Sequence, residues 1–432
     1  MNRAYPVCLI SALLIAACGG SGEDDSGDTP ADTGNDPSGI PLPSNPTPAG
    51  TDEGESTADP PTSGSETGGS ESGSTTMDLN CGVADIKAEV TIPRVMLVLD
   101  KSGSMVANPY GFWDADGDDA DDDGFKDADP ATMATPKVTR WQSLYETVDF
   151  IVTGFEERMD FGAVLFPAID ATKDYDARAC PVDADPTVPV GPDQGAVILG
   201  AIPAADNTAI RGGTPAAAGI VTGVAGLATD DPAEADKPKY LIFITDGAAN
   251  CPIEPVDAMD SSLFEIYDAN LPVVVADALG QGIPTYVVGI DIEDVVSVTQ
   301  KDGNPDATNT FEKLNEVAVA GGQARPGDEK FYNTANQVEL QAALMSISEL
   351  ITSCTFELNK PLLDSQYVEK LEVDPDGPSP LLYGLMQVTD CATESGWHFT
   401  DETRTAIELC GDACTLYKQT GDVNIVFECQ AG

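Results

Sequence analysis

Three short segments of the chain carry oxygen side chains in an arrangement suited to a hard divalent cation. The first is Asp100-Lys-Ser102-Gly-Ser104, the second contains Thr214, and the third contains Asp246. Mg²⁺ takes six oxygen ligands in an octahedral array and usually keeps several waters. The two serine hydroxyls can bind such an ion directly, the threonine hydroxyl can bind it directly or through water, and the two aspartates can neutralise its charge. The segments therefore predict a metal site built mainly from hydroxyl oxygens.

The composition excludes several other classes of function. Lys plus Arg is 21 and Asp plus Glu is 73, so the formal net charge is −52. Nucleic acid is therefore not an expected partner, because phosphate binding needs a positive surface. His398 is the one histidine of the chain, which disfavours histidine-dependent catalysis and histidine-rich zinc or iron sites.

The elements that must position the three segments follow from the hydrophobic pattern. Strands are predicted at residues 95–99, 161–166, 240–245, 285–290 and 331–332, and helices at 140–159, 215–227, the later part of 263–279, 309–320 and 336–351. Apolar strands that alternate with amphipathic helices predict an α/β fold with a doubly wound, mostly parallel, Rossmann-like sheet. Ligands of such sheets bind off the carboxyl ends of the strands, where we expect the three segments to meet.

The three segments, in this order and each at a strand end or helix start, resemble the von Willebrand factor A (VWA) domain and its metal-ion-dependent adhesion site (MIDAS). The resemblance covers residues 88–353, which is most of the chain expected to be ordered. It implies Mg²⁺ or Mn²⁺ bound at Asp100, Ser102, Ser104, Thr214 and Asp246, with the two aspartates acting mainly through waters. It also implies a protein ligand that presents an acidic side chain to an open position on the metal.

Each segment taken alone has a simpler interpretation. Thr214 followed by Pro215 is suited to the start of a helix, as N-cap and first helical residue. Asp246-Gly247 is typical of a turn, and either serine of the first segment could cap a helix. The joint occurrence of the three segments favours the metal site.

The N-terminus has the pattern of an exported bacterial lipoprotein. Residues 1–18 combine a positive Arg3 with a short apolar stretch, as in a signal peptide, and residues 15–18 read Ile-Ala-Ala-Cys. That sequence resembles the lipobox, which predicts a lipid anchor on Cys18; an ordinary signal peptide with an incidental cysteine is the alternative. The glycine after Cys18 favours the outer membrane. Residues 19–80 are rich in Gly, Ser, Pro and acidic residues, and we expect a disordered linker there.

An Asp-rich insertion at residues 106–138 separates the serine loop from the first helix. Residues 119–124 space acidic side chains at positions 1, 3 and 5 with Gly at position 6, as in a calcium-binding loop. Pro130 stands where an EF-hand has its bidentate glutamate. The candidate Ca²⁺ ligands are Asp119, Asp121, Asp123, Phe125 through its carbonyl, Asp127 and Asp129. A solvated acidic loop that binds no ion is the alternative.

The cysteines predict a disulfide-bonded exported protein. Of the ten cysteines, setting aside Cys8 and Cys18 leaves an even number, which predicts disulfides in an oxidising compartment. The candidates are Cys81, Cys180, Cys251, Cys354, Cys391, Cys410, Cys414 and Cys429. We expect Cys81 with Cys354 to close the ends of the VWA-like domain and Cys180 with Cys251 to join two loops near Asp246.

The last part of the chain predicts a second domain. Residues 354–432 hold several cysteines and short strand patterns at 367–373, 397–399, 406–409 and 423–427, which indicates a small β-rich module. The VWA-like domain is accordingly assigned to residues 81–353.

Together these features predict a lipid-anchored, metal-dependent adhesion or assembly protein of the cell envelope that is not an enzyme. A calcium-stabilised structural envelope protein without a metal-dependent ligand is an alternative. A phosphohydrolase with Asp100 as nucleophile is disfavoured, because such enzymes need a second Asp two residues on, where this chain has Ser102.

Overall fold

The computed structural model describes residues 83, 86–107, 112–114, 137–174, 176–229, 231–235, 237–252, 261–383 and 387–429. All of them belong to one compact unit, residues 74–432. The expected signal peptide, Cys18, the linker, Cys81 and the six candidate calcium ligands (Asp119, Asp121, Asp123, Phe125, Asp127 and Asp129) lie outside these residues.

Fifteen strands occur among the described residues. They are β1 (Ala88–Val90), β2 (Arg94–Asp100), β3 (Phe112–Asp114), β4 (Lys137–Thr139), β5 (Asp160–Phe166), β6 (Val188–Gly191), β7 (Lys239–Thr245), β8 (Thr285–Ile290), β9 (Tyr332–Thr334), β10 (Thr355–Leu358), β11 (Gln366–Val373), β12 (Leu381–Tyr383), β13 (Gly396–Phe399), β14 (Ala406–Cys410) and β15 (Val423–Cys429).

The same residues form eight α-helices. They are α1 (Arg140–Phe155), α2 (Gly195–Ala201), α3 (Ala216–Leu227), α4 (Pro232–Ala235), α5 (Leu271–Gly280), α6 (Thr310–Ala320), α7 (Gln337–Ile351) and α8 (Asp412–Thr420). No helix within the described ranges is long and apolar enough to cross a membrane.

The main body is a doubly wound α/β domain, as the hydrophobic pattern predicts. Its six-stranded sheet has the order β6-β5-β2-β7-β8-β9. Every neighbouring pair is parallel except β5 with β6. From β2 the chain moves to β5 on one side and then returns to β7 on the other. This reversal of direction leaves a crevice at the carboxyl ends of β2 and β7, which is where ligands bind in such sheets.

Two apolar layers cover the sheet because successive side chains of each strand point to opposite faces. Val95, Leu97 and Leu99 of β2 pack with α1, α2 and α7 on one face. Met96 and Val98 pack with α3, α5 and α6 on the other. All seven residues of β2 are buried, which accounts for the unbroken apolar run in the sequence.

Some element boundaries differ from the sequence-based expectation. Helix α1 ends at Phe155 rather than near residue 159. Leu263 lies in a short 3₁₀ turn, Ser261–Phe264, and the helix of that region begins at Leu271. Strand β6 and helix α2 were not predicted from the sequence. Strand β6 is an antiparallel edge strand, and three of its four residues are at least partly exposed, so it lacks the buried apolar run that identifies the inner strands.

The C-terminal module contains two antiparallel sheets, ordered β1-β10-β14-β13 and β12-β11-β15. They enclose an apolar core that includes Phe356, Leu371, Trp397 and Tyr417. Helix α8 was not predicted; its C-cap residue, Gly421, has a left-handed φ of 76°, a conformation that favours glycine.

The module also includes a strand from before the main body. Strand β1 pairs with β10 through Ala88↔Leu358 and Val90↔Phe356, so residues 88–90 belong to the module's sheet. The domain assigned to residues 81–353 therefore contains a strand that pairs with the module. The pairing joins strands more than 260 residues apart, so no local sequence pattern reveals it.

The disulfides confirm one expected pair and correct another. Cys180 is bonded to Cys251, as expected. Cys354 is bonded to Cys414 instead of Cys81, because the end of α7 leads directly into the module and brings Cys354 beside α8. Cys391 pairs with Cys410, and Cys429 is also disulfide-bonded.

Candidate metal centre

Asp100, the last residue of β2, lies at the base of the crevice and is fully buried. Its Oδ1 accepts a 2.7 Å hydrogen bond from the backbone N–H of Ser102. Its Oδ2 accepts a 2.6 Å bond from the hydroxyl of Thr245, the last residue of β7. The carboxylate thus joins the ends of two adjacent parallel strands and fixes the start of the serine loop.

The two serines of this loop lie side by side at the start of a 3₁₀ turn, Gly103–Val106. Their Oγ atoms are 2.8 Å apart, and the hydroxyl of Ser104 donates to Oδ1 of Asp246 over 2.7 Å. A serine hydroxyl has one proton to donate, so Ser102 is the donor to Ser104. The structure therefore joins two of the three predicted segments in one hydrogen-bonded chain of oxygens.

The second segment, which contains Thr214, is held beside the serine loop by backbone contacts. The N–H of Gly103 donates to the carbonyl of Gly212 over 3.1 Å, and the buried Asn250 side chain accepts from the N–H of Thr214 over 2.6 Å. Thr214 is buried and lines the same cleft as both serines. Its alternative role as a helix cap is wrong, because α3 begins at Ala216 and has no side-chain cap.

Glycine is required at two positions before Thr214. Gly212 has a φ of +120°, and a Cβ there would lie 2.8 Å from the carbonyl oxygen of Ala179. A Cβ on Gly213 would lie 2.6 Å from Sγ of Cys251. The Thr214 segment therefore packs closely against the disulfide between Cys180 and Cys251.

The site contains two buried carboxylates, and their environment disfavours their ionised forms. Burial, together with the charge of Asp246, raises the pKa of Asp100 to about 7. Burial also raises the pKa of Asp246, while the nearby Arg140 guanidinium opposes that shift. A cation placed among these oxygens would relieve both effects.

The sequence did not predict the part played by Arg140 and Asp291. These two residues form a chain of ion pairs with Asp246. Arg140 Nη1 lies 3.3 Å from Oδ2 of Asp246, and its Nη2 forms an ion pair with Asp291. Arg140 is the first residue of α1, at the positive end of the helix dipole, where a cation is unfavourable unless it has an anionic partner. That position was the signal in the sequence for a carboxylate nearby.

Lys101 contributes a second buried cation behind the serine loop. Its side chain is almost fully buried, and its Nζ donates to the carbonyl of Arg211 over 3.2 Å. Burial lowers the pKa of Lys101 to about 8. The bond joins the serine loop to the segment that leads into Thr214.

Four of the five predicted metal-site residues, Ser102, Ser104, Thr214 and Asp246, line a cleft of about 680 Å³. Three further groups of residues line it, namely 172–174, 211–213, and 300 together with 302–304. The described donors are hydroxyl and carboxylate oxygens, which suit Mg²⁺ or Mn²⁺ better than soft metals. The cleft therefore fits a hard divalent cation with one side accessible to a ligand.

A second group of possible metal ligands lies in the C-terminal module. Cys391, His398 and Cys410 are clustered there. The two sulfurs are bonded to each other and are not thiolates, so they are not metal ligands in this state. His398 instead bonds Glu408 on the neighbouring strand over 2.8 Å.

Comparison with known proteins identifies structural likeness without a sequence family. No protein-family model and no curated protein matches this sequence. The chain is similar to the conserved hypothetical protein BatB from Bacteroides thetaiotaomicron, with 17% identity and a TM-score of 0.35 over 60% of this chain and 98% of that one.

Two further solved structures are similar over part of their own length. The pilus adhesin SpaC from Lactobacillus rhamnosus GG shows 15% identity and a TM-score of 0.40, over 79% of this chain and 40% of SpaC. Proximal thread matrix protein 1 from the mussel byssus, solved with a zinc-occupied MIDAS motif, shows 13% identity and a TM-score of 0.32, over 62% of this chain and 50% of that protein.

Proposed function

We propose that the α/β body is a VWA-type domain that binds a protein ligand through Mg²⁺ or Mn²⁺. The residues that would hold the ion are Asp100, Ser102, Ser104, Thr214 and Asp246. When bound, the ion supplies an electron-poor position that attracts a carboxylate of the ligand. The role of such a domain is adhesion or assembly.

The observation that carries this proposal is the oxygen chain from Ser102 through Ser104 to Asp246. Its two hydrogen bonds, of 2.8 and 2.7 Å, hold hydroxyls from one loop against a carboxylate from another. These hydrogen-bonded side chains line an accessible cleft that Thr214 also lines. Hydroxyl ligands leave more of the charge on a divalent ion than carboxylate ligands do, so the ion remains attractive to an incoming acidic group.

The same geometry disfavours a phosphohydrolase. A nucleophilic aspartate needs an oxygen that can reach a substrate, whereas Asp100 is fully buried. Both of its carboxylate oxygens accept hydrogen bonds, from Ser102 and from Thr245. We therefore propose a binding role rather than a catalytic one.

We further propose that the protein is exported and anchored in the bacterial cell envelope, in the outer membrane, through a lipid on Cys18. The lipobox-like residues 15–18 and the acidic linker support this location. The disulfides of the body and module fit an oxidising compartment outside the cytoplasm. An acidic protein ligand in the same envelope or on another surface is the expected partner.

The experiment that tests the metal site is calorimetric titration of the full chain with Mn²⁺, Mg²⁺ and Ca²⁺. Thr214→Val removes one proposed ligand hydroxyl with little change in shape. Thr222→Val is a matched control, because Thr222 is equally buried and its hydroxyl bonds the carbonyl of Asp183, outside the cleft. We expect Thr214→Val to weaken Mn²⁺ binding about tenfold or more, and Thr222→Val to leave it unchanged.

The ligand-binding step is tested with a synthetic peptide that contains one aspartate. We expect it to bind the Mn²⁺-loaded chain and to lose binding in EDTA. Metal binding that Thr214→Val does not affect, or peptide binding that is equal in EDTA, would contradict the proposed function.

A further inference from the structure

The rim of the metal cleft carries two basic side chains that the metal site does not use. Lys173 and Arg211 line the cleft and are exposed. Neither side chain forms an ion pair or hydrogen bond with any residue that the structure describes. In a chain with 21 basic and 73 acidic residues, carboxylate partners are plentiful. Two unpaired cations beside a cation site therefore need an explanation.

Arg211 is positioned by the serine loop itself. A Cβ built on Gly103 would lie 3.9 Å from the Cα of Arg211. The carbonyl of Arg211 accepts from Nζ of Lys101, and the next carbonyl, of Gly212, accepts from the N–H of Gly103. The backbone at Arg211 is therefore fixed directly beside the two serines, while its side chain remains exposed at the cleft.

Lys173 lies on the loop that follows β5, and this loop is also fixed against the Thr214 segment. The carbonyl of Ala179 accepts from the N–H of Gly213 over 2.8 Å, and Cys180 in the same loop is bonded to Cys251. A further backbone bond of 3.0 Å, from Thr172 to Arg178, closes the loop around Lys173. Both basic residues therefore extend from restrained backbone at the rim.

The other charged groups of the cleft already have partners. Arg140 is shared between Asp246 and Asp291. Asp174 lies 2.9 Å from the guanidinium of Arg178. The carboxylate of Asp302 accepts from the side chain of Gln300 and the backbone of Asn304, within its own loop. Among the described cleft residues, Lys173 and Arg211 are thus the charges available to an incoming anion.

We propose that Lys173 and Arg211 form a second anchoring point, so that the cleft selects a peptide segment with two acidic side chains. One carboxylate would meet the metal, and the other, a few residues away, would meet the two basic side chains. This inference rests on the proposed metal-dependent function and adds the class of ligand. A segment with a single acidic residue would use only half of the site.

The test compares two synthetic peptides on the full, Mn²⁺-loaded chain. One peptide carries two aspartates separated by a few glycines, and the other has asparagine in place of one aspartate. The variant is the double substitution K173Q and R211Q. The control is K301Q, because Lys301 is an exposed lysine between two cleft residues, Gln300 and Asp302, but does not itself line the cleft.

We expect the double variant to bind the two-aspartate peptide about tenfold or more weakly, since charge-assisted hydrogen bonds are lost. Its affinities for Mn²⁺ and for the one-aspartate peptide should stay within about twofold of the parent, and K301Q should resemble the parent throughout. A two-aspartate peptide that binds no tighter than the one-aspartate peptide, or that binds the double variant as well as the parent, would overturn the inference while leaving the metal site intact. Loss of all peptide binding by the parent, or peptide binding unaffected by EDTA, would instead overturn the proposed function and this inference with it.

Discussion

The hydroxyl of Ser104 donates a 2.7 Å hydrogen bond to Oδ1 of Asp246, a residue 142 positions later in the chain. The other oxygen of that carboxylate faces Arg140, the first residue of α1. Asp246 therefore connects the serine loop to the helix that packs beside it. A cation bound at the serines would share this carboxylate with Arg140, so the two positive charges would be electrostatically coupled.

Substitution of Arg140 should reveal this coupling. In the metal-free protein, Arg140→Gln leaves Asp246 without its counter-charge, and loss of a buried ion-pair partner costs about 3–5 kcal/mol. Mn²⁺ should restore part of this stability, because the ion replaces the missing positive charge. The measurement is urea unfolding of the parent and variant in EDTA and in Mn²⁺.

Arg94→Gln is the control for that experiment. Arg94 is also buried and pairs with Glu234 at a distance of 3.8 Å, but it begins β2, at the end of the strand away from Asp100. The Arg94→Gln variant should lose the same amount of stability, relative to the parent, with and without Mn²⁺. An Arg140 variant that is equally unstable in both conditions would show that the two charges are not coupled.

Metal affinity should depend on pH through Asp100. The pKa of this carboxyl is raised from 3.8 to about 7 by burial and by Asp246, so between about pH 4 and 7 the folded state binds more protons than the unfolded state. The stability of the metal-free protein should therefore fall as the pH rises through that range.

The affinity for Mn²⁺ should change in the opposite direction. Mn²⁺ requires the ionised carboxylate, so its affinity should rise over the same range and level off above it. Calorimetric titration at about pH 5.5 and about pH 8 would check this; equal affinities at the two values would exclude Asp100 as the controlling group.

Removing the disulfide between Cys180 and Cys251 should affect the metal site. Gly213 packs against Cys251, and its N–H bonds the carbonyl beside Cys180. The double substitution C180S and C251S should cost about 2–4 kcal/mol of stability and also weaken Mn²⁺ binding, because the Thr214 segment loses its support.

The disulfide between Cys391 and Cys410 provides the matched comparison. It lies in the C-terminal module, away from the cleft. The double substitution C391S and C410S should lower the stability of the module without changing Mn²⁺ affinity. Unfolding curves and calorimetry of both double variants would distinguish local support of the site from a general loss of stability. An unchanged Mn²⁺ affinity after loss of Cys180–Cys251 would contradict the first expectation.

The Asp-rich insertion should account for any binding step that prefers Ca²⁺ in a titration. Replacing Asp119, Asp121 and Asp123 together with asparagine removes the charge that a calcium loop needs. We expect a second event seen with Ca²⁺ to disappear, while Mn²⁺ binding at the serines is retained. A calcium titration that the triple substitution leaves unchanged would favour a solvated acidic loop without an ion.

The sequence by itself determined the inner sheet and the residues proposed to hold the metal. Strands β2, β5, β7 and β8 are continuous apolar runs, because both of their faces are buried by helices, and such runs can be read locally. Asp100 and Asp246 come at the ends of two of these strands. Parallel strands bring their carboxyl ends to one edge, so the sequence already predicted that Ser104 and Asp246 would be neighbours.

Only the tertiary structure decided which distant groups complete that arrangement. Four contacts join segments that lie far apart in the chain. They are the ion pairs of Arg140, the pairing of β1 with β10, the bond between Cys354 and Cys414, and the packing of Arg211 beside the serines. Strand β6 and helix α8 were missed because their local patterns are short and partly exposed. A local pattern records whether a residue is buried and on which face, but it contains no information about which distant segment packs against it. The packing of distant segments depends on the free energy of the whole folded chain. That packing determines which charged side chains surround the cleft.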